Sequence, residues 1–455
     1  MRPFEWRWLV VSSLLLVALA DAETRPQYGG VLRVAMHAAP MTLDPADGAQ
    51  PDSFARRSLT MLMFDTLVTM GERGRVQPSL AISWQTSAGS QRWQFRLRRG
   101  VKFHDGSALT PEAVAASVRA ANPSWSVAAD GESVVVELSA ADPGLLAELA
   151  LSRNAIAKRN ADTMPSGTGP FHIVDWQAGK KLMLAAEEGY WRGRPFLDRI
   201  DIEMGKSSHD QAIALELGKA DLVEVAPEQS HRVSNGGQFL ASSAPVELLA
   251  LVFTRDVVSG NDKLLREALA LSVERGSIRS VLLQGAGEPA ASILPNWLSG
   301  YGFVFPTDAD LPRARHAREQ VRAIPTWTVG YDAGDPLSRL LVERIALNAR
   351  DAGLSLQPTN ASTADLRLVR IPLVSLDPWI ALSNVAAQMG MPAVKWGGSV
   401  EDLYAAEQAE LATQRAVPLF HLPVSYAAAP ALENWTLRAD GSWNLSDAWL
   451  RSGRP

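Results

Sequence analysis

The chain has 455 residues, so we expect more than one hydrophobic core. A net charge of −5 without a long basic run excludes nucleic acid as a predicted partner, because phosphate binding needs a concentrated basic face. The chain contains no cysteine, which excludes disulfides, a cysteine nucleophile and metals held by cysteine.

Residues 1–22 have the pattern of a cleavable secretory signal. Arg2 and Arg7 give a positive start, residues 9–20 form an apolar run too short to span a bilayer comfortably, and residues 20–22 (Ala-Asp-Ala) fit a cleavage site. The alternative is an uncleaved anchor. Because a lipid anchor needs a cysteine at the cleavage site, we expect an exported, soluble protein of the periplasm that is not a lipoprotein.

The N-terminal part of the mature chain predicts a strand, a loop and a helix. The strand covers residues 31–36 (VLRVAM), and the loop covers residues 40–45 (PMTLDP). Asp44 in this loop precedes a proline, so it fits an Asx-turn as well as a ligand contact. The helix is predicted over residues 53–70, because apolar residues there recur at four-residue spacing.

Residues 51–168 predict an α+β unit of their own. Besides the helix just described, it has strands at 93–97 and 134–136, a helix from Thr110 to about residue 121 and a short helix at 143–152. His104 and Asp105 lie in this unit, but no second histidine follows at metal-ligand spacing. Asp105 with Gly106 therefore predicts a turn, and His104 is predicted to be structural.

After residue 204 the pattern alternates between helices and strands. Helices are predicted at 209–217, 264–275, 335–353 and 400–414, and strands at 220–225, 247–253, 354–357, 365–371 and 418–426. The strand–helix–strand alternation between residues 327 and 372 predicts parallel strands that are joined by a crossover helix.

The common catalytic and cofactor motifs are missing from the sequence. It has no GxSxG, no HExxH, no Walker loop and no EF-hand. Residues 285–290 (GAGEPA) superficially match a dinucleotide fingerprint, but they follow a predicted helix and contain a proline. The sequence therefore predicts no catalytic residues, no metal ligands and no cofactor.

Several longer motifs share one family resemblance. They are GGVLRVAM and PMTLDP near the N-terminus, FDTLV at 64–68, QPSLAISW at 77–84, RRGVKFHDG at 98–106, and GTGPF with YWRGRPFLDRI inside residues 167–204. Together they resemble the bacterial extracellular solute-binding proteins of family 5, the dipeptide, oligopeptide and nickel-binding group of ABC importers. For residues 167–204 alone the alternative is a generic hairpin, which a match of this length disfavours.

The resemblance implies an α/β fold, namely a bilobal clamshell like the type II periplasmic binding proteins with an extra inserted α+β domain. The implied division of the chain is a signal peptide at 1–22, a discontinuous lobe I at 23–50, 169–254 and 419–455, an inserted small domain at 51–168, and lobe II at 255–418. Relative to the family, the second lobe and the small domain look abbreviated.

The resemblance also implies where a ligand would bind. Its sites draw on the loop after the first strand and on a segment around an Asp-Pro pair in the second lobe. Here these are Met41, Thr42, Leu43 and Asp44, and Asp377, Trp379 and Trp396. Asp377 also fits a cap before Pro378, and each tryptophan also fits core packing. Many peptide binders of the family carry another aspartate just before the pair, but residues 373–375 here are Leu-Val-Ser.

The implied function is capture of a peptide-like or other small polar solute between two lobes, for delivery to the permease and ATPase of an ABC importer. Such a protein works as a monomer and needs no enzyme chemistry. Two alternatives remain open: a secreted hydrolase on the same scaffold, and a sensor or chaperone that binds solutes without serving transport.

Overall fold

The computed structural model describes residues 25–451 apart from residues 72–73, 160–163, 227–228, 230–232, 234–237 and 303. The predicted secretory signal lies outside the described residues. Among the helices that are described, none combines the length and the apolar character needed to cross a membrane.

The described chain contains both helices and strands throughout. The helices are α1 (Phe54–Met63), α2 (Pro111–Ala121), α3 (Leu145–Leu149), α4 (Ser208–Glu216), α5 (Gly260–Ser272), α6 (Arg275–Val281), α7 (Asn296–Ser299), α8 (Leu311–Glu319), α9 (Pro336–Asp351), α10 (Pro378–Gln388) and α11 (Val400–Ala412). The strands are β1 (Val31–Ala35), β2 (Val68–Met70), β3 (Val76–Pro78), β4 (Ala81–Thr86), β5 (Arg92–Leu97), β6 (Ser126–Asp130), β7 (Ser133–Glu137), β8 (Phe171–Gln177), β9 (Lys181–Ala186), β10 (Arg199–Glu203), β11 (Leu222–Val225), β12 (Phe239–Phe253), β13 (Glu288–Pro289), β14 (Thr326–Gly330), β15 (Ser355–Thr359), β16 (Leu366–Pro372), β17 (Ala416–Ala428), β18 (Leu432–Glu433), β19 (Thr436–Leu437), β20 (Trp443–Asn444) and β21 (Trp449–Leu450).

An eleven-stranded sheet runs through the molecule in the order β15-β14-β16-β12-β17-β11-β1-β10-β9-β8, and β13 pairs with β17 off this path. The predicted parallel pairing is confirmed, because β14 pairs in parallel with both β15 and β16. Strand β1 likewise pairs in parallel with β10 and β11. Strands β12 and β17 are longer than predicted, and they join these two parallel groups.

The carboxyl ends of the two parallel groups face each other. Strand β11 ends at Val225, which pairs with Ser425 of β17. Strand β16 runs in the opposite direction and ends at Pro372, which pairs with Glu247, the partner of Leu422. The strands of each group therefore end on opposite sides of a short stretch of β12 and β17. In open α/β sheets the crevice outside such strand ends is the usual place for ligands.

That short stretch of β12 and β17 is irregular. The register between the two strands shifts on either side of Pro245 and again after Leu249, and Pro245 lies opposite Pro423. Since proline has no backbone N–H, this pair cannot form ladder hydrogen bonds with its own amides. The two parallel groups are thus joined by a continuous but weakly bonded ribbon.

A second sheet has the order β4-β5-β7-β6 and forms a unit of its own with α2 and α3. Its buried core includes Phe95, Val114, Val134 and Leu149, all of which are inaccessible to solvent. The predicted helix cap at Thr110 is confirmed, because its hydroxyl accepts a hydrogen bond from the Ala113 N–H at 3.3 Å.

The predicted helix over residues 53–70 is wrong in its second half. Helix α1 ends at Met63, Phe64 is extended, and β2 follows at Val68–Met70. The segment around Gly169 packs against the end of α1, where the Gly169 N–H donates a hydrogen bond to the Met63 carbonyl at 3.0 Å. A tertiary contact with a distant segment overrides the apolar four-residue spacing there.

Asp65 joins three of the sequence motifs, which are separate in the chain, through hydrogen bonds. Its buried carboxylate accepts hydrogen bonds from Thr168 Oγ1 at 2.9 Å, Tyr190 Oη at 3.2 Å and Trp191 Nε1 at 2.9 Å. Burial raises the pKa of Asp65, while these donors and the nearby Arg192 oppose the rise. FDTLV, GTGPF and YWRG are therefore parts of one buried polar junction.

Glu407 of α11 is a second buried acid with a structural role. Its Oε1 accepts hydrogen bonds from the backbone N–H groups of Ile293 and Leu294, the latter at 2.8 Å. Burial raises the pKa of Glu407 to about 7, against the effect of these two bonds. Between its unfolded value of 4.5 and about 7, the folded protein holds the proton more tightly than the unfolded chain does.

We expect the stability contribution of Glu407 to be greatest at low pH and to be lost as the pH rises to about 7. Relative to Glu407→Gln, the wild type should lose roughly 2–3 kcal/mol of unfolding free energy between pH 5 and pH 8. Urea unfolding of both proteins at the two pH values measures this difference, with the surface change Glu137→Gln as control. If the wild type, Glu407→Gln and Glu137→Gln all lose the same unfolding free energy between pH 5 and pH 8, the expectation is contradicted.

Candidate solute cleft

A cavity of about 500 Å³ lies between the facing carboxyl ends of the two strand groups. One wall is formed by residues that follow β1, β10 and β11, and the opposite wall by residues that follow β14 and by Arg370 on β16. Glu247 and residues 422–426, from the ribbon that joins the two groups, also line it. Its size lies within the range of small-molecule sites in proteins.

Glu224 at the end of β11 supplies a carboxylate to one wall. Its Oε2 accepts a hydrogen bond from the His37 N–H at 2.6 Å and another from Gln211 Nε2 at 3.3 Å. Burial raises the pKa of Glu224, and the bond from His37 opposes the rise. The loop after β1 is thereby tied to the end of β11, which fixes His37 and Ala38 against the cavity.

Glu247, Arg370 and Asp335 form a charged row on the other side of the cavity. Arg370 Nη1 lies 3.7 Å from the Glu247 carboxylate, and its Nε lies 4.0 Å from that of Asp335. Asp335 also caps α9, because its carboxylate accepts from the Leu337 N–H at 3.0 Å and from Ser338 Oγ at 2.6 Å. Burial raises the pKa of Glu247, and Arg370 only partly offsets this.

A smaller cavity of about 70 Å³ lies where α1 meets the end of β16. Arg57 of α1, Arg438 and residues 374–376 are among its walls. The buried Arg57 guanidinium donates to the Leu373 carbonyl at 2.7 Å and pairs with Asp52. Arg57 thus connects α1 with the chain just after β16.

The four predicted residues of the loop after β1 have different surroundings. Met41 is 64% exposed, Thr42 Oγ1 accepts from the Asp44 N–H at 3.1 Å, and Leu43 is buried in a hydrophobic core. Asp44 forms a two-bond ion pair with Arg159, at 2.7 and 2.6 Å. Burial alone would raise the pKa of Asp44, but the bonds from Arg159 bring it below its ordinary value.

The three predicted residues of the second lobe lie at the start of α10 and just beyond it. Asp377 caps α10 by accepting from the N–H groups of Trp379 at 3.0 Å and Ile380 at 3.1 Å. The rings of Trp379 and Trp396 stack with centroids 5.9 Å apart. Trp396 is 43% exposed and lies against Gly144 of the four-stranded unit.

None of these seven residues lines either cavity, although His37 and Ala38 before the loop and residues 374–376 before α10 do. The residues that sequence reasoning missed are His37, Glu224, Glu247, Asp335 and Arg370. Two of them carried a readable signal, because Glu224 and Glu247 interrupt otherwise apolar strand sequences, LVEV and VELLALVF. Within the described residues, no group of three or more acidic or histidine side chains is arranged to hold a metal ion.

A family model for bacterial extracellular solute-binding proteins, family 5 Middle, matches residues 75–368, which is more than half of the chain. The chain belongs to this family. Two curated relatives are the nickel-binding protein NikA of Staphylococcus aureus, 27% identical over 50% of this chain and 49% of its own length, and heme-binding protein A of Haemophilus influenzae, 24% identical over 64% and 63%. The aligned region thus spans about half of NikA.

The family 5 fold is also found in solved structures. A dipeptide binding protein from Pseudoalteromonas sp. SM9913, solved in complex with Met-Leu, aligns with a TM-score of 0.80 at 15% identity, over 92% of this chain and 100% of that one. The predicted fold class is confirmed, because such neighbours are type II periplasmic binding proteins. Members of the family are extracellular or periplasmic binding proteins that work with ABC importers.

Proposed function

We propose that this family 5 protein captures a small polar solute or peptide in the 500 Å³ cavity and delivers it to an ABC importer. In this proposal, lobe I and lobe II as predicted from the sequence move relative to each other, and the inserted domain belongs to lobe I. The proposal includes export through the signal in residues 1–22, a periplasmic location without a lipid anchor, action as a monomer and contact with a permease and its ATPase.

The position of the cavity carries this proposal. It lies between two parallel strand groups that are joined through β12 and β17, and both groups contribute wall residues. A solute there would touch both groups only when they are close together. Such a solute shifts the balance between open and closed forms, because its contacts are complete only in the closed form.

The seven site residues predicted from the sequence have two different roles in the proposal. Met41 and Trp396 are proposed as contacts for a solute at the edge of the cleft, because their side chains are exposed. Thr42, Leu43, Asp44, Asp377 and Trp379 are proposed to shape the loops that carry the contacts, since their groups bond or pack within the protein.

We expect protein isolated from its own host to retain a small solute, which native mass spectrometry detects as a discrete mass difference. Adding that solute back to stripped protein should raise its melting temperature in a concentration-dependent way. Ala38→Trp, which places a large side chain at the cavity wall, should abolish the shift, whereas Ala88→Trp on an exposed turn should not.

Two results would count against this function. One is conversion of the retained solute into a product at a rate that follows the protein through further purification. The other is retention and thermal shift that are equal in the Ala38→Trp variant and the wild type.

A further inference from the structure

The walls of the 500 Å³ cavity are unequal in charge. Its described lining includes four carboxylates, of Glu224, Glu247, Asp332 and Asp335, whereas Arg370 is the only arginine or lysine among them. Two histidines, His37 and His209, also line the cavity. With its four carboxyl groups ionised, the cavity therefore has an excess of negative charge unless a ligand supplies positive charge.

The four carboxylates differ in how fully the protein already satisfies them. Asp332 accepts from the Gly334 N–H at 2.8 Å, Asp335 caps α9, and Glu224 receives the bonds from His37 and Gln211. Glu247 differs, because no described residue donates a hydrogen bond to its carboxylate. Among the residues that the structure describes, its only close cation is Arg370, and a separation of 3.7 Å is too long for a hydrogen bond.

Glu247 is also poorly solvated. Its side chain is only 14% exposed, and it projects from a stretch of β12, residues 246–253, that is otherwise apolar. A carboxylate in this position normally has a full set of donors, because leaving a buried charge without hydrogen bonds is costly. The unmet acceptor capacity faces the cavity, so a donor that enters the cavity can satisfy it.

We propose, on the basis of the solute-binding function, that the cavity selects solutes that carry an ammonium or guanidinium group, with Glu247 as its principal counter-charge. Glu224 on the opposite wall provides a second negative charge for the same solute. Arg370 stands beside Glu247 and repels a second cation at that point, so one positive group is accommodated there. Glu247 is thus a specificity-determining residue.

The test uses stripped full-length protein and three tripeptides with blocked ends, Ala-Lys-Ala, Ala-Gln-Ala and Ala-Glu-Ala, together with succinate. Blocked ends leave the central side chain as the only group that can carry a charge, so the Lys peptide is positive, the Gln peptide neutral and the Glu peptide negative. In competition monitored by native mass spectrometry, the Lys peptide should bind at least about tenfold more tightly than the Gln peptide, and the Glu peptide and succinate most weakly.

The Glu247→Gln variant should lose most of the preference for the Lys peptide over the Gln peptide, while Glu137→Gln on the surface should keep it. Thermal melting of both variants verifies that they are folded. Equal binding in the wild type, a preference for the anions, no binding of any probe, or a lysine preference that is undiminished in Glu247→Gln overturns the inference. A neutral or anionic solute retained from the host overturns it too, but leaves the solute-binding function standing.

Discussion

The Gly167→Ala variant is expected to yield little or no folded protein. A Cβ atom at position 167 would lie 1.9 Å from the Met63 carbonyl oxygen and 2.6 Å from Cδ1 of Phe64. The first of these neighbours is backbone at the end of α1, so it cannot rotate away as a side chain can. Either α1 or the segment around Gly167 must move, which we expect to cost roughly 4 kcal/mol or more.

Expression of soluble protein and its melting temperature measure the effect of Gly167→Ala. Gly48→Ala is the matched control, because a Cβ atom at position 48 meets nothing within 4 Å. If the two variants melt at the same temperature, the close approach between residue 167 and Met63 does not limit stability.

The second large effect is expected for Asp65→Ala. The substitution leaves Thr168, Tyr190 and Trp191 without the acceptor that they share, in a site that solvent barely reaches. Since each buried donor left unpaired costs about 1–3 kcal/mol, we expect a total loss of roughly 3–5 kcal/mol of unfolding free energy. Equilibrium unfolding in urea measures this loss.

Asp65→Asn separates the loss of hydrogen bonds from the loss of volume. The amide keeps the size of the side chain, but its NH2 group faces donors in place of one carboxylate oxygen, so we expect an intermediate loss. Asp130→Ala, at an exposed strand end, should change stability by less than about 1 kcal/mol. A loss for Asp65→Ala no larger than that of Asp130→Ala would contradict the assigned role of the junction.

Much of the fold could be predicted from the sequence, because its motifs are local and long. GTGPF and YWRG are recognisable by themselves, although their purpose is visible only in the structure, where Asp65 joins them. The length of α1 could not be predicted, since the helix stops at Met63 for a reason that lies near Gly169, over a hundred residues away. Apolar periodicity describes one face of a helix and contains no information about such distant contacts.

The candidate cleft was harder to predict than the fold. Its charged residues come from the ends of separate strands, and the sequence distance between Glu224 and Arg370 exceeds a hundred residues. The family resemblance predicts ligand contacts in the loops near Thr42 and Trp379. In the structure, the Thr42 side chain instead bonds within its own loop and Trp379 packs against a hydrophobic core. A glutamate inside an apolar stretch of a strand is the one kind of local sign, and it is visible at Glu224 and Glu247.

Pro245 and Pro423 face each other where β12 and β17 cross between the two strand groups. Rungs of backbone hydrogen bonds give a sheet its stiffness against bending, and the amides of this pair supply none. A bending load on the sheet would therefore concentrate its strain in a few backbone dihedral angles there, while the strands on either side keep their registers. The strands β12 and β17 run through this point without a break, but the sheet bends most easily here. Each half of the sheet can therefore remain rigid while the angle between the two halves changes.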